Sequence, residues 1–69
     1  MDHLLHQISE LIKSRRKELT IKQEDLSEIT QVAIRTIRDL EKGIGNPSLQ
    51  TLQKIMEVLG IELTFQLKK

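Results

Sequence analysis

The chain has 69 residues, no cysteine, a single aromatic residue and a formal net charge of +1. This length predicts one small domain with an aliphatic core, which a second copy of the chain would supplement. The lack of cysteine excludes a disulfide framework and a cysteine-based zinc site. Neither a signal peptide nor a membrane-spanning run is visible, so we expect a cytoplasmic protein without a membrane partner.

Four segments have the apolar spacing of amphipathic helices. They run from about Leu4 to Leu19, Lys22 to Thr30, Ala33 to Lys42 and Ser48 to Leu59. Gly43 and Gly60 follow the third and fourth helices, where left-handed backbone is common. Ser48 is the predicted cap of the fourth helix, and Asn46 followed by Pro47 is the alternative. The predicted inward positions are Leu4, Leu5, Ile8, Leu11, Ile12, Leu19, Leu26, Ile29, Ala33, Ile37, Leu40, Leu49, Leu52, Ile55, Met56 and Leu59.

After Gly60 the apolar period changes to two, which is typical of a strand. The alternating apolar positions are Ile61, Leu63, Phe65 and Leu67. Because one strand is not stable alone, we predict that this strand pairs with its copy in a homodimer. A helical tail is the alternative. Residues 1–60 would then form the helical domain and residues 61–69 the dimerisation strand.

The third helix has a polar, largely basic outer face. If Ile37 and Leu40 point inward, then Arg35, Arg38, Asp39 and Lys42 share the opposite side. Arginine pairs well with guanine in a DNA major groove, and isoleucine can meet a thymine methyl group. The candidates for reading bases are Ile34, Arg35, Thr36 and Arg38.

Alternatives remain for these charges. An ordinary solvated helix face has the same pattern. Asp39 could accept from a cytosine amine, or pair with Arg35 four residues earlier, and its spacing favours the pair.

Other residues are placed to contact DNA phosphates. Lys22 and Gln23 lie at the start of the second helix, where backbone N–H groups and the helix dipole attract a phosphate, and Lys42 and Asn46 could make a second backbone contact beyond the third helix. The candidates for these contacts are Lys22, Gln23, Ala33, Lys42 and Asn46. Catalysis has no comparable support. His3 and His6 could share a metal, but no third ligand is evident, and exposed histidines are the simpler interpretation. We therefore expect no enzyme activity, no metal and no cofactor.

A family resemblance strengthens the DNA-binding hypothesis. Leu26 to Glu41, Lys42-Gly43 and the segment Asn46-Pro47-Ser48-Leu49 closely resemble the Xre family of phage Cro/repressor-type helix-turn-helix domains. The likeness covers about Leu4 to Gly60.

It implies an all-α, lambda-repressor-like fold of four to five helices that binds a palindromic operator in double-stranded DNA. It also implies that Gln23 contacts a phosphate and that Arg16 pairs with Glu41 in a structural role.

This sequence departs from the family pattern at three positions. Gln31 stands where the family usually has glycine, and a positive φ there would cost about 1 kcal/mol. Ala33 replaces a capping serine or threonine, and Ile34 replaces a frequent glutamine. The operator sequence therefore cannot be inferred from that of relatives.

The segment IELTFQLKK after the helical domain is similar to the C-terminal strand of HipB-type antitoxins. That likeness implies a nucleoid-associated dimer that represses its own operon and binds a HipA-like kinase toxin. The alternatives are a stand-alone phage-type or chromosomal repressor, and a protein-interaction adaptor that has lost DNA binding.

Overall fold

The computed structural model describes residues 3–68, and these residues form four helices. They are α1 (His3–Glu18), α2 (Gln23–Thr30), α3 (Ile34–Lys42) and α4 (Leu49–Leu59). The predicted all-α architecture is confirmed. The five-helix variant of the prediction is wrong for residues 3–68, because the connections between the helices are short and residues 61–68, which follow α4, form no helix.

The core lies where α1 and α2 both pack against α3 and α4. Every helix contributes to it, and Val32 joins from the connection between α2 and α3. Burial of one aliphatic side chain contributes about 1.5–3 kcal/mol, so this cluster is the main force that holds the helices together. Its buried members are Ile12, Leu26, Val32, Ile37, Leu40, Ile55 and Leu59.

Several residues predicted to face inward are exposed instead. On α2, Leu26 and Thr30 are buried one turn apart, whereas Ile29 keeps 59% of its surface. Successive helical residues are about 100° apart, so Ile29 lies to the side of the face that Leu26 and Thr30 define. The apolar residues of α2 cover a wide arc, so more than one side of the helix could face the core. Packing against the other helices decides which side does. The other exposed members of the predicted set are Leu4, Leu11, Leu19, Ala33 and Leu49.

The helix ends set the directions of the connections. After α3, Gly43 has a φ of 77°, and the N–H of Ile44 donates to the Asp39 carbonyl at 3.0 Å. The same reversal follows α1, but there the left-handed residue is Thr20, with a φ of 59°. A β-branched residue in this region is strained. At the start of α4, Ser48 Oγ accepts from the Thr51 N–H at 3.1 Å, so Ser48 is the cap as predicted.

The C-terminal segment differs from its prediction. Residues 61–68 form no strand in the single chain, and only Ile61 packs against the core. A strand needs a neighbour to satisfy its backbone donors and acceptors, and residues 3–60 are helices and short connections. The prediction of a strand is therefore wrong for the chain on its own, and strand formation would require a second chain.

Candidate nucleic-acid interface

The unit formed by α2, residues 31–33 and α3 has a tightly fixed turn. Gln31 follows α2 with a φ of 61°, so the positive φ considered from the sequence is present. The Ser27 hydroxyl donates to the Val32 carbonyl at 2.6 Å, and Thr30 Oγ1 accepts from the Val32 N–H at 3.3 Å. With Val32 itself buried, these bonds set the angle between α2 and α3.

The outer face of α3 carries unpaired positive charge. Ile37 and Leu40 are buried, whereas Arg35, Arg38 and Lys42 are exposed. Within residues 3–68 none of these three cations forms an ion pair or a side-chain hydrogen bond. Each charged group therefore stays hydrated, and its donors are available to a ligand.

The four residues predicted to read bases lie together in the first half of α3. Arg35 and Arg38 are exposed, and Ile34 and Thr36 are half-buried beside them. The expected pair between Arg35 and Asp39 is wrong, since the described chain contains no such ion pair. Asp39 instead lines a groove of about 200 Å³ with Thr36 and the loop after α3. Its carboxylate is thus not committed to holding Arg35.

The predicted phosphate-contacting residues lie at helix ends and in the loop that follows α3. Lys22 precedes α2 and Ala33 precedes α3, and neither helix start has a side-chain cap. The first N–H groups of both helices are therefore available to an anion. Lys42 and Asn46 are exposed near the other end of α3.

Gln23 differs from the other phosphate candidates, because its side chain already has a partner within the protein. Its Nε2 donates to Glu41 Oε1 at 3.1 Å, and the residue is half-buried. One Nε2 hydrogen remains for a phosphate, since an amide nitrogen carries two.

A buried ion pair between Arg16 and Glu41 holds α3 against α1. Arg16 Nε and Nη2 donate to Glu41 Oε2 and Oε1 at 2.6 and 2.9 Å, and Arg16 Nη1 donates to the Ile21 carbonyl at 2.8 Å. The two side chains are only 11% and 4% exposed. This is the pair implied by the family resemblance. It joins α1, α3 and the segment before α2 in one network.

The network shifts the pKa values of both partners. Burial is the largest effect on Glu41 and raises the pKa of its carboxyl, but hydrogen bonds from Arg16 and Gln23 outweigh it, so that pKa is lowered overall. The hydrogen bond to Glu41 raises the pKa of the Arg16 guanidinium, and burial only partly opposes this. Both groups are therefore charged near neutral pH, which favours the paired geometry.

The architecture and the turn agree with a family comparison. A family model described as helix-turn-helix matches residues 12–66, which is most of the chain. The chain belongs to the helix-turn-helix family. In this domain α2 and α3 are the paired helices. The resemblance to Xre-type domains is thereby confirmed, whereas the finer likeness to HipB-type antitoxins is not addressed by this match.

Two relatives carry names that describe regulators. The chain is 46% identical over 52 residues to an uncharacterized HTH-type transcriptional regulator of Methanothermobacter thermautotrophicus, with 75% of each chain covered. It is 33% identical over 54 residues to the HTH-type transcriptional regulator DdrOP3 of Deinococcus deserti, covering 78% of this chain and 42% of that protein. The chain thus spans less than half of the length of the Deinococcus protein.

Sequence reasoning missed three residues that shape the helix-turn-helix domain. Ser27 and Thr30 lock the turn through their hydroxyls, and a local signal for them existed, because such hydroxyls often bond nearby backbone at helix ends. Arg15 Nε donates to the Leu59 carbonyl at 2.8 Å and so ties α1 to the end of α4. No local pattern predicts that contact, because the two residues are far apart in the chain.

None of the helices within residues 3–68 combines the length and the hydropathy of a membrane-spanning helix. Within the same residues, no three histidine, aspartate or glutamate side chains lie together as ligands for a metal ion. His3 and His6 are therefore not part of such a group.

Proposed function

We propose that this protein is a sequence-specific DNA-binding transcriptional repressor that inserts α3 into the major groove. The observation that carries the proposal is the exposed, unpaired set of cations on one face of α3: Arg35, Arg38 and Lys42. In helix-turn-helix proteins the second helix enters the major groove, and its N-terminal residues contact the base edges. The names of the two relatives support a role in transcription.

The base-reading side chains are Ile34, Arg35, Thr36 and Arg38. The planar fork of Arg35 or Arg38 is suited to guanine O6 and N7, and Ile34 to a thymine methyl group. Lys22, Gln23, Ala33, Lys42 and Asn46 contact phosphates and set the register without reading sequence. The uncapped starts of α2 and α3 support this division of roles.

The repressor acts as a homodimer on a palindromic operator. Two copies related by a two-fold axis would place their α3 helices about 34–36 Å apart, in successive major grooves. The apolar alternation of residues 61–67 supports dimerisation through the C-terminal segment, since that segment leaves large side chains exposed in the single chain.

We further propose that this repressor is the antitoxin of a toxin–antitoxin pair that controls its own operon and binds a kinase toxin. Support comes from the likeness of the segment after Gly60 to HipB-type antitoxins. A stand-alone repressor would share every feature of α3, so it is the competing proposal. Co-purification from the host separates the two, because an antitoxin brings down a kinase-like protein and a stand-alone repressor does not.

Binding assays with substituted proteins test the DNA-binding role. Operator DNA is first selected from a random pool and then compared with a scrambled duplex. Arg35→Ala should lose about 1–3 kcal/mol on the operator and relax the base preference at one position in each half-site. Lys22→Ala should weaken both duplexes alike and lower the salt slope by about one. Lys17→Ala is the control, since Lys17 is exposed on α1 outside the proposed interface.

Equal losses on operator and scrambled DNA would make Arg35 a phosphate contact instead. An unchanged salt slope would reject the role of Lys22. If the unsubstituted protein binds no duplex even at low salt, the DNA-binding proposal fails and a protein-interaction adaptor becomes the better hypothesis.

A further inference from the structure

The alternating apolar side chains of the C-terminal segment become more exposed with distance from the core. Ile61 packs against the core, Leu63 is 40% exposed, Phe65 83% and Leu67 97%. Phe65 is also the only aromatic residue of the chain. Exposing these side chains in a row is unfavourable in water, which indicates that a partner covers this face.

A groove lies beside the start of the same face. It has a volume of about 480 Å³ and runs between α4 and residues 61–63. Met56, Ile61 and Leu63 contribute its apolar lining, and Lys54 and Glu57 are among its polar residues. The groove is therefore continuous with the exposed apolar face and is large enough to receive an aliphatic side chain.

We propose that the C-terminal segments of two copies pair as antiparallel strands with Phe65 on the two-fold axis. The proposal rests on the homodimer of the proposed function and adds its register. In a symmetric antiparallel pair, a residue a given number of positions before the axis lies opposite the residue the same number after it. An axis that passes through Phe65 lets Leu63, Phe65 and Leu67 meet one another, whereas an axis between two residues would pair apolar positions with polar ones, so only a few registers remain.

Charge selects among those registers. Glu62 lies three residues before Phe65 and Lys68 three residues after it, so each Glu62 faces Lys68 of the second copy. An axis at Thr64 would place Glu62 opposite Gln66, and an axis at Gln66 would place Lys68 opposite Thr64. Opposite charges directly across a strand pair are favourable, so the register at Phe65 is preferred.

The same register brings an apolar side chain to the groove. Leu67 of the second copy lies opposite Leu63, which forms part of the groove lining. The two Phe65 rings meet at the axis, where an aromatic pair adds stabilisation beyond its buried area. Since a two-stranded ribbon is marginal by itself, seating Leu67 of each copy beside α4 of the other copy supplies the packing that the ribbon needs.

Charge reversal tests the register by sedimentation equilibrium. Glu62→Lys should raise the dimer dissociation constant at least about tenfold, because two attractive pairs become repulsive. Adding Lys68→Glu to that variant should restore dimerisation to within about threefold of the unsubstituted chain. Gln66→Lys is the matched control on the same polar face. It should change the constant little, whereas an axis at Thr64 would make it strengthen the dimer.

Disulfide trapping gives a second measurement, because the natural chain has no cysteine. Directly opposed residues have Cα atoms about 4.5–5.5 Å apart, which suits a disulfide. With diamide as oxidant, Phe65→Cys should form a covalent dimer at least about tenfold faster than Thr64→Cys. Faster trapping at position 64, or no rescue by the double charge reversal, would overturn the register at Phe65. Neither result would contradict the homodimer itself.

A monomer at all accessible concentrations would overturn both the register and the proposed homodimer. The role of α3 is tested separately, since the effect of Arg35→Ala on operator binding does not depend on the C-terminal segment. Failure of this inference is therefore distinguishable from failure of the DNA-binding proposal.

Discussion

Replacing Glu41 with glutamine should remove about 3 kcal/mol of folding stability. The substitution keeps the size of the side chain but removes the charge that faces Arg16. The guanidinium then keeps its hydrogen bond to the Ile21 carbonyl and at most one good acceptor at position 41. A buried charge that loses its partner costs about 3–5 kcal/mol, and the small remaining exposure of Arg16 favours the lower end.

This loss is large for a chain of 69 residues. At roughly 0.05–0.15 kcal/mol per residue, a domain of this size has a total stability on the order of 3–10 kcal/mol. If the urea dependence is about 1 kcal/mol per molar, the unfolding midpoint should fall by about 3 M. Circular dichroism in a urea titration measures the change directly.

A matched control is Glu10→Gln. Glu10 pairs with Lys13 at 3.6 Å on the surface, where both side chains are well exposed. Exposed pairs contribute about 0–1 kcal/mol, so this variant should unfold close to the unsubstituted protein. If Glu41→Gln lost no more stability than Glu10→Gln, the buried network would not be what supports α3.

Three further predictions concern acid stability and the helix ends. Because the pKa of Glu41 is lowered in the folded state, its stabilisation is complete above the ordinary value of 4.5 and is lost as the pH falls through the lower folded value. The fall in melting temperature below pH 4.5 should therefore be steeper in the unsubstituted protein than in Glu41→Gln, and parallel curves would contradict this. Thr20→Gly should raise stability by about 0.5–1 kcal/mol in urea titrations, since relief of left-handed strain exceeds the entropy cost of glycine. A loss of stability would show that Thr20 is not strained. Ser48→Ala should cost about 1 kcal/mol by removing the cap of α4, and an unchanged urea midpoint would show that the cap is dispensable.

Much of the helical architecture could be predicted from local pattern. Apolar spacing located all four helices to within a residue or two, and Ser48 and Gly43 marked helix boundaries correctly. The outer face of α3 followed from the burial of Ile37 and Leu40, since a helix that buries one side must expose the other. These features depend only on residues close together in the chain.

Other features required the tertiary structure. Local spacing favoured a pair between Arg35 and Asp39, but Asp39 instead lines the groove between α3 and the loop that follows it. The width of the apolar stripe on α2 left its inward face open, and packing against α3 and α4 exposed Ile29.

The sequence by itself determined four amphipathic helices, the basic outer face of α3 and the apolar alternation after Gly60. Only the tertiary structure decided how Glu41 shares its carboxylate between Arg16 and Gln23, and how Arg15 reaches Leu59. It also decided that residues 61–68 remain unpaired in the single chain. The physical reason is range. Helix periodicity arises from neighbours along the chain, whereas these contacts join distant segments and depend on how the helices pack.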